Sequence, residues 1–378
     1  MDTETRDLLP EGLEDRLPQD TAAATRITRA LMDVLDSHGY DRVQPPSIEF
    51  ERSLASRMAG IQTRRMVRFV DPASLRMMAL RSDMTPQVGR IAVTRMKNAA
   101  RPLRLAYAGQ VVSLKGDGLD PTRERLQIGA ELIGHAGVAA AAEVVAVAIE
   151  ALQAAGATGI SVDFTLPDLV DALSAGPWPL TPAQLAAVRR ELDAKDAGAL
   201  VQAGGAAYLP LLHATGGFVA AMDKLSALAV EGVLDGRLSA LQAIAERVQA
   251  AGGDVRLTLD PTERHGFEYQ SWFGFQIFAQ GVQGAVARGG AYAIIGADDG
   301  AEGEAAVGFS LYPDPLITAL AAQEAKRETL FLPLGHDASA AARLRAVGWR
   351  TVAAISAGDD ARALGCSHRL DGLEPVRV

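Results

Sequence analysis

The sequence predicts an α+β fold: an antiparallel sheet flanked by helices, interrupted by a helical insertion and followed by a small C-terminal α/β unit. Three observations carry that expectation. Residues 123–134 alternate apolar and polar side chains with the period of a strand, residues 103–114 read as a strand antiparallel to them, and the Gly-, Asp- and Pro-rich stretch between the two reads as a turn. Residues from about Asp163 to Asp254 are alanine-rich and mostly helical in pattern. Residues 329–334, 337–347 and 351–355 then read as strand, helix and strand, a βαβ unit.

The elements follow in order. Residues 21–38 form a helix whose stripe is Ile27, Leu31, Val34 and Leu35, and Gly39 stands where its C-terminal stop belongs. A short strand at residues 40–43 runs into Pro45 and Pro46, and residues 76–80 are a further strand candidate. Thr85 is placed to cap a helix that begins at Pro86 and continues through Val88, Ile91 and Met96. The free amides of that helix start could bind a carboxylate, although an ordinary cap is the plainer reading. Residues 138–152 form the most apolar run, but Glu143 and Glu150 fall on one face, so the run is an amphipathic helix. Thr181 and Pro182 open one helix of the insertion, and paired glycines at 204–205 and 216–217 punctuate others. Strands return at residues 255–259, 268–278, 290–295 and 306–311. The expected division is a core of residues 1–323, with its insertion at about 163–254, and a reduced unit of residues 324–378.

The 378 residues carry a net charge of -9, which argues against a protein built mainly to grip phosphate backbones. Nucleic acid is therefore not an expected partner. The single cysteine, Cys366, cannot form an internal disulfide and suits a reducing cytoplasm. The polar, acidic N-terminus does not read as a signal peptide, and no run reads as a membrane span. The six histidines lack the pairing of a metal site, so no metal and no cofactor is expected. Walker, Gly-x-Ser-x-Gly and Gly-x-Gly-x-x-Gly signatures are absent.

Residues 123–134 are the most informative stretch. Leu126, Ile128, Ala130 and Leu132 share one face, while Arg123, Arg125, Gln127, Gly129 and Glu131 share the other. Gly129 would leave open space between an amide and a carboxylate, the floor of a pocket for a small ligand bearing an amine. A strand with one solvated face explains the same pattern equally well.

Taken in order, these pieces resemble a class II aminoacyl-tRNA synthetase core of the histidyl type, over roughly residues 9–320. Residues 39–49, with Pro46 and Glu49, resemble the first class II motif, a dimerisation element. Leu80 to Thr85 resembles the Leu-Arg-Pro-Glu-Gly-Thr segment. Tyr107 and Gly109, with Arg123, Gln127, Gly129 and Glu131, resemble the strands of the second motif. His265 to Tyr269 occupies the place of Arg-Gly-Leu-Asp-Tyr, and residues 289–292 and 307–309 resemble the strands before and within the third motif. Each fragment is weak alone; the order and spacing of the set are specific.

The departures are as informative as the matches. Amino-acid activation brings a carboxylate onto the α-phosphate of ATP, so it needs cations to stabilise crowded negative charge. Where such enzymes carry Phe-Arg-x-Glu, this chain has Val112, Ser113, Leu114 and Lys115. The arginine for the ATP tail falls at Pro313, Asp314 and Pro315, and the histidyl-type arginine is His265. Losing one preorganised donor costs on the order of a hundredfold in rate, and three are missing. Catalytic residues are therefore not expected, and neither is aminoacylation.

What the resemblance leaves is an amino-acid pocket. Asp83, Gln127 and Glu131 are expected to receive an α-amino group. Thr85 and its helix start are expected to receive a carboxylate, and Tyr269 and Tyr292 to flank a polar ring. Satisfied interior polar groups are the competing explanation. The pattern as a whole resembles the histidyl-tRNA synthetase-like regulatory subunits of ATP phosphoribosyltransferase. That resemblance implies a cytoplasmic, non-catalytic subunit acting in the first step of histidine biosynthesis. Its implied partners are a short-form catalytic subunit in a hetero-oligomer, a second copy of the chain through the synthetase-like core, and histidine as allosteric inhibitor. A pseudo-synthetase that senses histidine or tRNA for another partner is the alternative, with a working histidyl-tRNA synthetase behind it.

Overall fold

The structure is a computed structural model that describes residues 8–56, 58, 65–116, 120–228, 230, 232–251, 254–264, 270–296, 303–321 and 328–378. The chain divides into two compact units, Met1–Ala321 and Ala322–Val378.

In the first unit the elements run α1 (Pro18–Ser37), β1 (Asp41–Arg42), β2 (Ile48–Phe50), α2 (Glu51–Ala55), β3 (Arg68–Val70), β4 (Met77–Leu80) and α3 (Thr85–Thr94). The long hairpin β5 (Leu103–Val112) and β6 (Glu124–Ile133) follows, then α4 (Val138–Ala154) and β7 (Ser161–Thr165). The insertion comprises α5 (Leu169–Ala175), α6 (Pro182–Asp193), α7 (Ala197–Gln202), α8 (Leu209–His213), β8 (Gly216–Gly217), α9 (Phe218–Ser226) and α10 (Asp235–Ala250). The core resumes with β9 (Arg256–Asp260), β10 (Gln270–Phe278), β11 (Ala287–Ile294), β12 (Glu304–Leu311) and α11 (Asp314–Ala321).

One sheet of order β1-β5-β6-β12-β11-β10-β7-β9-β8 organises the unit. Its central pairs are antiparallel, as alternation predicts, but β1 joins β5 and β9 joins β7 in parallel. The expected boundary of the insertion is corrected. Asp163 lies inside β7, between Val162 and Phe164, whose side chains are fully buried. The helices begin only at Leu169. A five-residue strand is easily lost in front of a long alanine-rich run.

The sheet is covered on both sides. On one face, Leu126, Ile128, Ala130 and Leu132 join Ile27, Leu31 and Leu35 of α1 and the Ala/Val surface of α4 in the main core. Each large aliphatic side chain buried there contributes about 1.5–3 kcal/mol. Val34 is only partly buried, at the margin of the α1 stripe, and Gly39 takes φ +77° just past the helix end. Glu143 and Glu150 sit at the edge of α4 and accept from Arg104, Tyr40 and His38. On the other face, Leu105, Tyr107, Tyr292 and Ile294 pack under Met84, Val88 and Ala92 of α3. A small sheet of order β2-β4-β3 stands beside this helix. Gln127, Gly129 and Glu131 thus belong to a second buried face, not a solvated one.

The second unit contains β13 (Thr329–Leu332), α12 (Ala338–Ala346), β14 (Arg350–Ala353), β15 (His368–Asp371) and β16 (Glu374–Arg377). Asp337 caps α12 through its side chain. The final hairpin is absent from the sequence expectation because its strands are largely polar. Its two-residue loop places Gly372 at φ +57°, as a tight hairpin turn requires. Among the described residues no helix is long and apolar enough to cross a membrane.

Candidate amino-acid-binding cleft

Register builds the site. Direct cross-strand partners share a face of the sheet, so pairing defines three adjacent rows across β5, β6, β12 and β11. The first row is Tyr107, Gly129, Ser310 and Arg288. The second is Leu105, Glu131, Gly308 and Gly290, with Gly274 of β10 next in line. The third is Ile133, Ala306, Tyr292 and Gln270. Three glycines on neighbouring strands lower the sheet surface here, and the side chains of Glu131 and Gln270 lie down into the trough they leave. The cleft so formed is narrow, and its walls include Thr85, Glu131, Gln270, Arg288, Tyr292 and Ser310.

At the base of the trough stands Glu131, 1% exposed. The Tyr107 hydroxyl donates to its Oε1 at 2.9 Å and the Tyr292 hydroxyl to its Oε2 at 2.7 Å. The carboxylate lies so close over Gly308 that a Cβ there would meet Oε2 at 1.7 Å. Burial pushes the Glu131 carboxyl up to about 8, against the pull of its two tyrosine donors. Both phenols are themselves raised well above their ordinary value, first by burial and then by the nearby Glu131 charge.

A second polar layer adjoins the first. Gln127 Nε2 donates to Asp83 Oδ1 at 2.7 Å and to Ser310 Oγ at 2.8 Å, while its Oε1 accepts from the Met84 amide at 2.8 Å. Asp83 Oδ1 also accepts from the Thr85 amide at 3.0 Å. The Thr85 hydroxyl lies 3.0 Å from the Tyr107 hydroxyl, which is 3.1 Å from Ser310 Oγ. The layers are joined, so Tyr107 couples the outer pair to Glu131.

Three expectations are corrected by this geometry. Thr85 does not cap α3 with its side chain; the hydroxyl turns inward to Tyr107, and Met84 takes the capping position. Nor are the first amides of α3 free for a carboxylate, since Gln127 and Asp83 already accept from them. The space over Gly129 is likewise filled: a Cβ there would come within 2.4 Å of the Tyr107 ring and hydroxyl. Gly308 and Gly290, one and two strands further on, line the cleft, with the Glu131 carboxylate and the Gln270 amide lying over them. Asp83, Thr85, Gln127, Glu131 and Tyr292 are brought together, whereas Tyr269 and His265 lie outside the described residues.

Tyr107, Gln270, Arg288 and Ser310 escaped sequence reasoning as site residues. Alternation on β11 places Arg288 and Gly290 on the Tyr292 side, and on β12 places Ser310 with Gly308. That signal becomes usable only once strand register is known. Gln270 reaches across its neighbour to donate to the Gly289 carbonyl at 2.8 Å. Arg81, by contrast, is structural. Its buried guanidinium donates to the Gln110 and Pro45 carbonyls at 2.7 and 2.9 Å, and a Cβ at Gly109 would strike it.

The opposite end of the same hairpin offers no comparable chemistry. Ser113 forms a bridge with Met66, its carbonyl accepts from Arg123 at 3.3 Å, and Lys115 is exposed. Asp314, at the start of α11, accepts from the Leu126 amide at 2.9 Å and pairs with Arg16. A carboxylate and its ion pair occupy the place where the resemblance would require a cation for a phosphate tail.

Comparison with known proteins agrees with this architecture. The family model described as histidyl-tRNA synthetase matches residues 12–316. Solved structures of similar fold include one described as an ATP phosphoribosyltransferase regulatory subunit/histidyl-tRNA synthetase from Bacillus halodurans. Its TM-score is 0.81 at 22% identity, covering 97% of each chain. Another is a histidyl-tRNA synthetase from Nostoc sp. PCC 7120, with TM-score 0.77 at 14% identity over 96% of this chain and 90% of that one. An ATP phosphoribosyltransferase regulatory subunit from Rhodospirillum centenum is 43% identical across 96% of this chain and 94% of its own length. The chain therefore belongs to the histidyl-tRNA synthetase-like family of ATP phosphoribosyltransferase regulatory subunits.

Proposed function

We propose that this chain regulates an ATP phosphoribosyltransferase by binding histidine in the trough above Gly308 and Gly290. The observation that carries the reading is the buried Glu131, held by two tyrosine hydroxyls at the bottom of a polar cleft. Burying a carboxyl group opposes folding unless a partner makes use of it. A ring N–H is such a partner: it donates to Glu131 while the aromatic body lies over the glycines. The charged head group stays at the mouth, where it keeps more solvent, with its ammonium towards Asp83 and Gln127. This revises the expectation that Glu131 receives the amine, because Glu131 lies deepest and Asp83 is the more exposed acid.

The chain performs no adenylation in this reading. Ser113 and the Asp314–Arg16 pair stand where phosphate clamps are needed. It works instead within a complex containing the short-form catalytic subunit and a second copy of itself, in the cytoplasm. Histidine binding biases that complex towards a less active state, for which a coupling of ~1–3 kcal/mol suffices. Phosphoribosyl-ATP formation by the short-form subunit tests it, measured alone, with this chain, and with this chain plus histidine. Activation by the chain and suppression by histidine are expected. An unchanged rate in all three would sink the proposal.

A further inference from the structure

We propose that Arg288 is the carboxylate-binding residue of the cleft and restricts it to free α-amino acids. The inference rests on the histidine reading above and names the group that completes it. A zwitterion needs a cation as well as an acid, and the helix amides expected to serve are occupied by Asp83 and Gln127. Arg288 is the one cationic side chain among the described residues that line the cleft. No hydrogen bond or ion pair to another described residue engages its guanidinium.

Its position fits the length of the ligand. Arg288 pairs with Ser310 one row away from Glu131 and two strands across the sheet. Two interstrand steps of about 4.8 Å and one two-residue step of about 6.7 Å put the two backbones roughly 12 Å apart. The arginine and glutamate side chains close much of that gap from opposite ends, leaving a span for a small amino acid. Ser310, the cross-strand partner of Arg288, accepts from the Gln127 amide that also donates to Asp83. An ammonium at Asp83 and a carboxylate at Arg288 then fall on the same side of the cleft, as in one head group. A planar guanidinium can take a carboxylate through two parallel hydrogen bonds, which an ester or amide cannot accept in the same way.

Calorimetric titration of the full-length chain tests this with three ligands: L-histidine, L-histidinamide and imidazole. In the wild type, histidinamide should bind about tenfold to a hundredfold more weakly than histidine, the worth of one charge-assisted contact. Arg288→Gln should weaken histidine by a similar factor and leave histidinamide and imidazole within about threefold, while Arg288→Lys should recover part of the loss. The ligand comparison in the wild type does not depend on a variant folding. Equal affinity for histidine and its amide would overturn the proposal. So would unchanged histidine affinity in Arg288→Gln. In either case, loss of histidine binding in Glu131→Gln would leave the cleft reading standing. Failure of the wild type to bind histidine at all would overturn both.

Discussion

The β5–β6 hairpin has two ends that share strands, register and sheet but differ in chemistry. At the inner end, Gln127 and Glu131 are buried and bonded to Asp83, Ser310, Tyr107 and Tyr292. At the outer end, Ser113 and Lys115 lie beside the turn, and Asp314 is tied to Arg16 and the Leu126 amide. Both ends satisfy their polar groups, so satisfaction alone does not mark a site. The difference is cost and access. The inner end buries an acid against its preference beside a cleft lined by glycines of the neighbouring strands. The outer end uses its acid as an ordinary structural anchor. A binding site is recognised where the fold tolerates an unfavourable group and keeps space next to it.

Substitutions can break or sharpen that contrast. The largest effect is expected from Gly308→Ala, whose new methyl would displace the Glu131 carboxylate. Stability should fall by about 1–3 kcal/mol from overpacking, and histidine binding should be lost. Urea midpoints and titration read both, and a variant that still binds normally would show that the trough is not the ligand site. Next comes Asp314→Ala. It leaves the Leu126 amide without its acceptor at a cost of about 1–3 kcal/mol, while histidine affinity should stay unchanged. A matching loss of affinity would mean that the outer end is not independent of the cleft.

A smaller effect concerns pH. The Glu131 carboxyl lies at about 8 in the fold against an ordinary 4.5. Between those values the folded chain keeps a proton that the unfolded chain has released, so this group's contribution to stability declines as pH rises through the window. Glu131→Gln removes the titration. Its stability relative to wild type should therefore be higher at about pH 8 than at about pH 5. The same difference at both pH values would show that Glu131 is not held protonated. The smallest effect is expected of Ser113→Arg, which should change stability by no more than about 0.5 kcal/mol and histidine affinity not at all. ATP–pyrophosphate exchange should remain absent, because Asp314 and its prolines still occupy the other phosphate position.

Much of this was legible in the chain itself. Alternation located β5, β6 and β12, and the stripe of Ile27, Leu31 and Leu35 located α1. Missing phosphate clamps were visible as Ser113 and Pro315, because folding cannot give a serine or proline side chain a positive charge. Asp83, Thr85, Gln127, Glu131 and Tyr292 were read as a set, and the structure brings them together. Their roles were not legible. Thr85 was expected to cap a helix and instead bonds Tyr107, since a hydroxyl one residue inside the helix is free to turn towards a stronger buried partner.

The sequence by itself determined the period of each strand, the residue types on each face, and the serine and prolines that stand where the resemblance requires cations. Those are local properties, set by backbone repeat and side-chain chemistry. Register and layer order were decided only by the tertiary structure. They align Gly308 and Gly290 with Glu131, bring Tyr107 over Gly129, and place Arg288 on the wall of the cleft. Tyr107 and Ser310, within hydrogen-bond distance in the fold, are 203 positions apart along the chain. A single-residue slip in pairing would carry them to the opposite face, so the cleft exists only once four strands have found their partners.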